Sequence, residues 1–377
     1  MGYLLTPESQ ELVSMVKNFA EREIKEQCKA YDVSGEFPAD IMEKTLATQL
    51  HLIEVPEEHG GMGLDLVTVA AIYEEMAKAD AGIPSTLATS AMALKPVMMA
   101  GTAQQVKKVA DVLAAGGYGA FALTEPAAGS DAANTRTTAV REGDEYIISG
   151  DKCFISNGGI ADIYIVFAMT DKQTGTKGIS AFLVERDRQG VSVGKEEDKM
   201  GLRLSNTTSV FFDNVHIPAE NLIGQEGKGF GIAMKTLDIE RILTAAITIG
   251  IAQRAMEEAT AYAKERTTFG KPIIYNQGIQ FMLADMDIKI ETARQMMIHA
   301  LNMAQSGMRT TREAAIAKCY SSDMAMQVVT DALQVLGGYG YSREYPVEKL
   351  MRDAKVFQIL EGTNQIQRMV IAGNLMR

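Results

Sequence analysis

Apolar side chains recur at helical spacing from the start of the chain. Between Pro7 and Gln27, Leu12, Val13, Val16, Phe19 and Ile24 fall on one face, while Glu11, Lys17, Glu21, Arg22 and Lys25 fall on the other. Pro38 and the stretch Pro56–Gly63 interrupt that period, after which Leu66–Ala79 and Ser85–Met99 restore it. An all-helical first domain is therefore expected over residues 1–117. The period changes at Gly116–Gly119. Short apolar segments then follow at Ala120–Leu123, Tyr146–Ile148, Ile163–Ala168, Ile179–Val184 and Val210–Phe212, separated by turn-forming residues. They predict a β domain, either a barrel or a sheet, over residues 118–225. The glycine-rich stretch Gly224–Gly231 marks a return to long helical periods at Phe230–Arg266, Gln277–Ser306, Thr311–Leu336 and Val347–Leu375. These predict a C-terminal four-helix bundle over residues 226–377, so the fold class is α+β in the order helices, β domain, helices.

Composition narrows the function classes. The chain has 377 residues and a net charge of −11, which argues against a generally basic nucleic-acid-binding surface while leaving room for a local phosphate pocket. No apolar run is long enough to cross a bilayer, and Met1–Gln10 lacks the character of a secretory signal. A cytosolic protein is the expectation, with a mitochondrial matrix location left open for a mature chain. Cys28, Cys153 and Cys319 are too scattered for a disulfide framework, and the four histidines show no HExxH or other compact ligand spacing, so no metal site is expected. The glycine-rich tracts contain no GxGxxG between a strand and a helix, which disfavours a Rossmann domain.

Four loop segments carry candidate chemistry. Thr124–Asp131 gathers hydroxyls and carboxylates at a sharp turn after an apolar strand, a group that can orient a polar ligand edge or simply satisfy its own backbone. Lys152–Gly158 sets Phe154 beside Ser156 and a flexible turn, suited either to shielding a redox ring or to ordinary packing. Arg266–Gly270 combines a guanidinium with hydroxyls at a helix exit, with Gln277 after the next turn; Arg266 can clamp a phosphate or form a surface ion pair. Ile359–Gln365 puts Glu361 at a glycine-softened helix boundary, where a carboxylate can serve as a general base or as a helix-end charge.

Taken together, Thr124–Asp131, Phe154–Gly158, Arg266–Gly270, Gln334–Tyr341, Tyr345–Arg352 and Ile359–Arg368 resemble the acyl-CoA dehydrogenase family over nearly the whole chain, closest in pattern to bacterial short-chain or butyryl-CoA members. The resemblance implies FAD as cofactor and conversion of an acyl-CoA thioester to a trans-2-enoyl-CoA. Glu361 would abstract the α proton, and FAD N5 would accept the β hydride. It implies cofactor contacts from Thr124, Phe154, Ser156, Arg266, Phe269, Gln277, Thr363 and Gln365, and a neighbouring-subunit contact from Gln334–Gly338. It implies substrate contacts from Ser130, Glu240, Arg241 and Gly362, an electron-transfer flavoprotein as electron acceptor, and a homotetramer or sometimes a dimer. Phe154 departs from the tryptophan common in relatives, and Leu360 stands where many have tyrosine.

Glu240 is a second acid of interest, because a minority of relatives take their base from that position. Here it is read as a supporting acid, compensated by Arg241 or by another charge across the helices. The same geometry can run in reverse as an enoyl-CoA reductase, and a catalytically silent CoA-binding or oligomerisation scaffold is the competing class.

Overall fold

The computed structural model of the chain describes residues 3–376. Six helices come first: α1 (Pro7–Phe19), α2 (Cys28–Ser34), α3 (Ala39–Ala47), α4 (Leu66–Ala79), α5 (Gly82–Ala100) and α6 (Ala103–Ala114). The expected helix from Pro7 to Gln27 is α-helical only to Phe19 and continues as a π-helical turn over Ala20–Ile24. Helix α4 has the predicted bounds and is buried on nearly every side, with Asp65 capping its N-terminus through bonds from the backbone N–H groups of Val67 and Thr68. Helix α6 is not among the helices expected from the sequence, although Val106, Val109, Ala110 and Leu113 keep a helical period and a Thr102–Gln105 capping box starts it.

The middle region holds β1 (Gly119–Ala122), β2 (Thr138–Glu142), β3 (Glu145–Ser156), β4 (Ile163–Met169), β5 (Ile179–Glu185), β6 (Val191–Val193), β7 (Thr207–Pro218) and β8 (Leu222–Ile223). They form one sheet in the order β6-β7-β3-β2-β4-β5-β8, with β1 parallel to β4. The pairing path ends at β6 and β8, so the domain is a sheet rather than a closed barrel among the described residues. Strands β3 and β7 are far longer than their apolar cores at Tyr146–Ile148 and Val210–Phe212 predict. Their outward positions are polar, and register shifts between Ile148 and Gly150 and between Lys152 and Ile155 break the alternation.

The C-terminal region consists of α7 (Gly229–Glu265), a small hairpin of β9 (Thr267–Thr268) and β10 (Lys271–Pro272), then α8 (Gln277–Gln305), α9 (Thr311–Leu336), α10 (Val347–Val356) and α11 (Asn364–Leu375). The first three long helices run within a residue of expectation. The fourth does not: the predicted Val347–Leu375 helix is two helices separated by residues 357–363. Glu361 and Gly362 cause the break, with φ of 55° and 85°, a left-handed conformation that cannot continue a right-handed helix. One apolar core joins α4 and α5 to α7, α8, α9 and α10, so the two helical regions share their interior. No helix among the described residues is long and apolar enough to cross a membrane.

Candidate active site

The interruption between α10 and α11 gives Glu361 its chemistry. The residue is half-buried, but its Oε2 is shut off from solvent and has no hydrogen-bond partner. Burial raises its proton affinity, while the charges of Arg241, Lys318 and Lys95 pull the other way without bonding to the carboxylate. Its backbone is held firmly. Arg241 Nε donates to the Glu361 carbonyl at 3.1 Å, and Gln367 Nε2 donates to the carbonyls of Glu361 and Gly362 at 3.0 and 2.9 Å. A Cβ at position 362 would lie 2.8 Å from Gln367 Nε2, so glycine there serves both the left-handed turn and this close approach.

Glu240 has a different environment. It lies buried on α7, and Lys95 of α5 donates to its Oε1; Lys95 also donates to Glu54 Oε2 at 2.7 Å. Tyr73 of α4 donates to the other Glu54 oxygen at 2.6 Å. Burial pushes the Glu240 pKa up to about 8 against the pull of Lys95, with Glu54 and then Glu361 adding to the rise. The same two carboxylates hold Lys95 well above its ordinary value despite its own burial. Burial is the main cause, and the single Lys95 ammonium, which also serves Glu54, offsets it only in part. The compensating charge is thus Lys95 across the helices, while the adjacent Arg241 bonds Asp238 at 3.0 Å and the Glu361 backbone.

Thr124 and the Phe154–Ser156 segment meet at one place. Cys153 N–H donates to the Thr124 carbonyl at 3.0 Å, joining the end of β1 to β3. Beneath them, the fully buried Lys152 Nζ bonds Glu125 Oε1 at 2.7 Å and the carbonyls of Leu123 and Phe167 at 3.1 and 2.7 Å. Burial lowers the Lys152 pKa to about 8 despite Glu125. Burial also opposes the charge on Glu125, but Lys152 and backbone donors outweigh it and hold its pKa below the ordinary value. Phe154 is 67% exposed with φ 53°, so it is not the core aromatic that packing alone would favour. Ser156 is half-buried, and Ser130 is exposed on its loop. Asn157, within the Phe154–Gly158 motif, is buried and left-handed; its Nδ2 bonds Thr86 O, Ser90 Oγ and Gly119 O, tying this turn to α5.

Arg266 ends α7, with its guanidinium 5.7 Å from the centroid of the Tyr339 ring. Together with Tyr262, Thr268, Gly337 and Gly338 they line a pocket of about 580 Å³. A Cβ at Gly337 or Gly338 would meet nothing within 4 Å, so this wall is open for a ligand's approach. Phe269 stands wholly exposed at the hairpin tip with φ 48°, and Gln277 and Gln334 lie exposed outside the pocket lining. Thr363 caps α11, its hydroxyl accepting from Ile366 N–H, and Gln365 is exposed on the first turn. The described chain therefore assembles its candidate residues in three groups: around Glu361, around Thr124 and Phe154, and around Arg266. Of the seven non-glycine residues with positive φ among the described residues, Phe154, Asn157, Phe269 and Glu361 fall within these motifs. Such strain persists only where surroundings enforce it, and it gathers at functional sites.

Sequence reasoning missed the supporting residues Lys95, Glu54 and Lys318, and the supporting roles of Lys152, Asn364 and Gln367 within the motifs it named. A signal existed for Lys318, a lone cation among Ala314, Ala315 and Ala317 on the inward period of α9. Lys95 carries the same signal, as the one charged residue of the apolar helix α5, but its partner Glu240 lies 145 residues away in sequence and could not be read from it.

Comparison with known proteins identifies the family of the whole chain. Models of the acyl-CoA dehydrogenase N-terminal, middle and C-terminal domains match residues 6–117, 120–215 and 227–376. An acyl-CoA dehydrogenase of Bacillus subtilis (strain 168) is 45% identical over 374 residues, 99% of each chain. The structure of butyryl-CoA dehydrogenase from Megasphaera elsdenii is 44% identical and superposes with a TM-score of 0.97 over 100% of both chains. A chain from a structure described as the electron transferring flavoprotein of Acidaminococcus fermentans is 45% identical, with a TM-score of 0.97 over 100% of both. With its helix–sheet–helix fold and these full-length matches, the chain belongs to the acyl-CoA dehydrogenase family.

Proposed function

We propose that this enzyme catalyses FAD-dependent α,β-dehydrogenation of a short-chain acyl-CoA, giving the trans-2-enoyl-CoA, with Glu361 as the base. The observation that carries the reading is the solvent-shielded, unpartnered Oε2 of Glu361. An oxygen already engaged by a cation would have to break that bond before taking a proton. Glu361 Oε2 is free, while its backbone is fixed by Arg241 and Gln367. Burial raises the proton affinity above that of an exposed acid, and the nearby cations keep the anion accessible, which suits α-proton abstraction near neutral pH. Glu240 differs in that its carboxylate is ion-paired with Lys95 through Oε1, whereas no cation bonds the carboxylate of Glu361. The Glu361 amide is the family-type donor for the thioester carbonyl, where negative charge develops.

The residues present fit FAD. Arg266 stacked on Tyr339 beside an open glycine wall offers a cationic, planar site for a phosphate or adenine portion. Thr124, Phe154 and Ser156 offer hydroxyls and an exposed ring at a single edge for the isoalloxazine. When bound, FAD supplies the acceptor for the β hydride. Phe269, Gln277, Gln334, Gly338, Thr363 and Gln365 complete the proposed cofactor contacts, and Ser130, Glu240, Arg241 and Gly362 the proposed substrate surroundings. The short-chain preference is supported by the butyryl-CoA dehydrogenase relative, and an electron-transfer flavoprotein as acceptor by the Acidaminococcus structure. The bacterial relatives support a cytosolic enzyme and lend nothing to a mitochondrial one. Self-association is supported by apolar side chains left exposed on α8 and α11, and a homotetramer is the form the family resemblance implies.

The test compares Glu361→Gln with Glu240→Gln. Mixed anaerobically with butyryl-CoA, the flavin-loaded E361Q protein should stay yellow, with bleaching slowed roughly 10²–10⁴-fold, while E240Q still bleaches. Loss confined to E240Q would reassign the base.

A further inference from the structure

We propose that Lys318 is a positioning residue for the base, its ammonium pinning the Glu361–Gly362 turn from beneath. The proposal rests on the reading of Glu361 as the base. Lys318 lies on α9 and is fully buried; its Nζ donates to the Gly362 carbonyl at 2.8 Å and to Asn364 Oδ1 at 2.9 Å. Asn364 is itself fixed, donating from Nδ2 to Ser322 Oγ at 2.9 Å and Asp323 Oδ1 at 2.8 Å. Asp323 Oδ1 also accepts from Gln358 Nε2 at 2.7 Å, at the opposite end of the interruption. One face of α9, through Lys318, Ser322 and Asp323, therefore grips both ends of the segment that carries Glu361.

The choice of lysine is informative. Both of its acceptors are neutral oxygens, and no carboxylate lies within ion-pair distance of it among the described residues. A buried ammonium without an anionic contact is costly, so an apolar or amide side chain would satisfy a purely architectural need more readily. What the ammonium adds is charge. The groups facing it are Glu361 on the turn, Arg241 on α7, and Cys319 and Asp323 on α9. Of these, Glu361 exerts the largest favourable pull on its charge. Lys318 thus favours the Glu361 anion through space and leaves Oε2 free for the proton, while its own hydrogen bonds hold the left-handed backbone. Burial lowers the Lys318 pKa to about 8, against the pull of Glu361. As pH rises through that value the charge is lost, and both the charge-assisted grip on Gly362 and the support of the Glu361 anion weaken.

Two readouts test this on the flavin-loaded protein, using wild type, Lys318→Met and Lys318→Arg. The first is α-hydrogen exchange of acetyl-CoA with deuterated solvent; acetyl-CoA has no β hydrogen, so proton abstraction is read without oxidation. Wild type should show a falling limb near pH 8, the Lys318 value. K318M should lack that limb and be at least roughly tenfold slower below it. K318R, whose guanidinium does not titrate in this range, should exchange protons without the limb. The second readout is amide hydrogen exchange of the peptide spanning residues 357–364, where K318M should lose protection at least roughly tenfold and K318R should keep it. A limb near pH 8 that persists in K318R, or K318M protection and rates equal to wild type, overturns the proposal. K318R decides the matter should K318M fail to fold. Failure of the base assignment reads differently: E361Q would keep exchanging acetyl-CoA hydrogens, whereas under the present reading it loses that exchange and retains a protected 357–364 peptide.

Discussion

Glu240 and Glu361 carry the same carboxylate, and only their neighbours separate them. Glu240 shares Lys95 with Glu54, whereas Glu361 keeps one oxygen shielded and free. The raised Glu240 pKa has a thermodynamic consequence. A folded-state pKa of about 8, above the unfolded glutamate value, means that the native state binds the extra proton. That stabilisation is complete below about pH 4.3 and is lost as pH rises through about 8. In E240Q the group stays neutral throughout. Thermal denaturation between about pH 5 and about pH 9 should therefore show wild type losing ground to E240Q as pH rises; a pH-independent gap would contradict the raised pKa. Both glutamates stand in the sequence as candidates, but their ranking by environment does not, because the partner of Glu240 comes from a helix 145 residues away. Arg241, the neighbour in sequence, instead serves Glu361.

Between elements, the buried Lys152–Glu125 pair does the corresponding work for the sheet. It ties the end of β1, where Thr124 begins the polar loop, to the strand that carries Phe154 and Ser156. Replacing Lys152 with Met leaves Glu125 buried without its counter-charge, which should cost about 3–5 kcal/mol in stability and weaken FAD retention. Urea unfolding and flavin titration measure the two, and unchanged values for both would remove Lys152 from the site's support. Elements with a continuous period were legible in the sequence. Helices α4 and α9 have their predicted bounds because their apolar positions repeat without interruption. Legibility fails where local backbone geometry overrides the period. Apolar spacing runs on through residues 357–363, but the left-handed Glu361 and Gly362 divide the helix. In β3, bulges hide a strand that is more than its apolar core. The Thr102–Gln105 box and the apolar face Val106, Val109, Ala110 and Leu113 made α6 readable as well.

At the scale of the whole molecule, apolar residues remain uncovered. Phe281 and Ile288 on α8 are 60% and 63% exposed, and Met369 and Leu375 on α11 are 68% and 70% exposed. Large exposed apolar side chains on long helices favour association. Light scattering should give a mass well above the 40.9 kDa of one chain. The double substitution Phe281→Asp and Ile288→Asp should lower that mass if α8 forms the contact; an unchanged mass would place the interface elsewhere. By itself, the sequence determined the order of helices, sheet and helices, the family motifs and the identity of Glu361 as a candidate base, because each is written in local period or in contiguous residue types. It also showed that a net charge of −11 leaves room for a local cationic site such as Arg266. Tertiary structure alone decided that Lys95 engages Glu240, that Lys318 and Gln367 hold the Glu361 turn, and that Arg266 shares a pocket with Gly337 and Gly338. Proton affinity and backbone strain depend on burial and on charges brought from distant helices, and those distances come into being only when the chain packs.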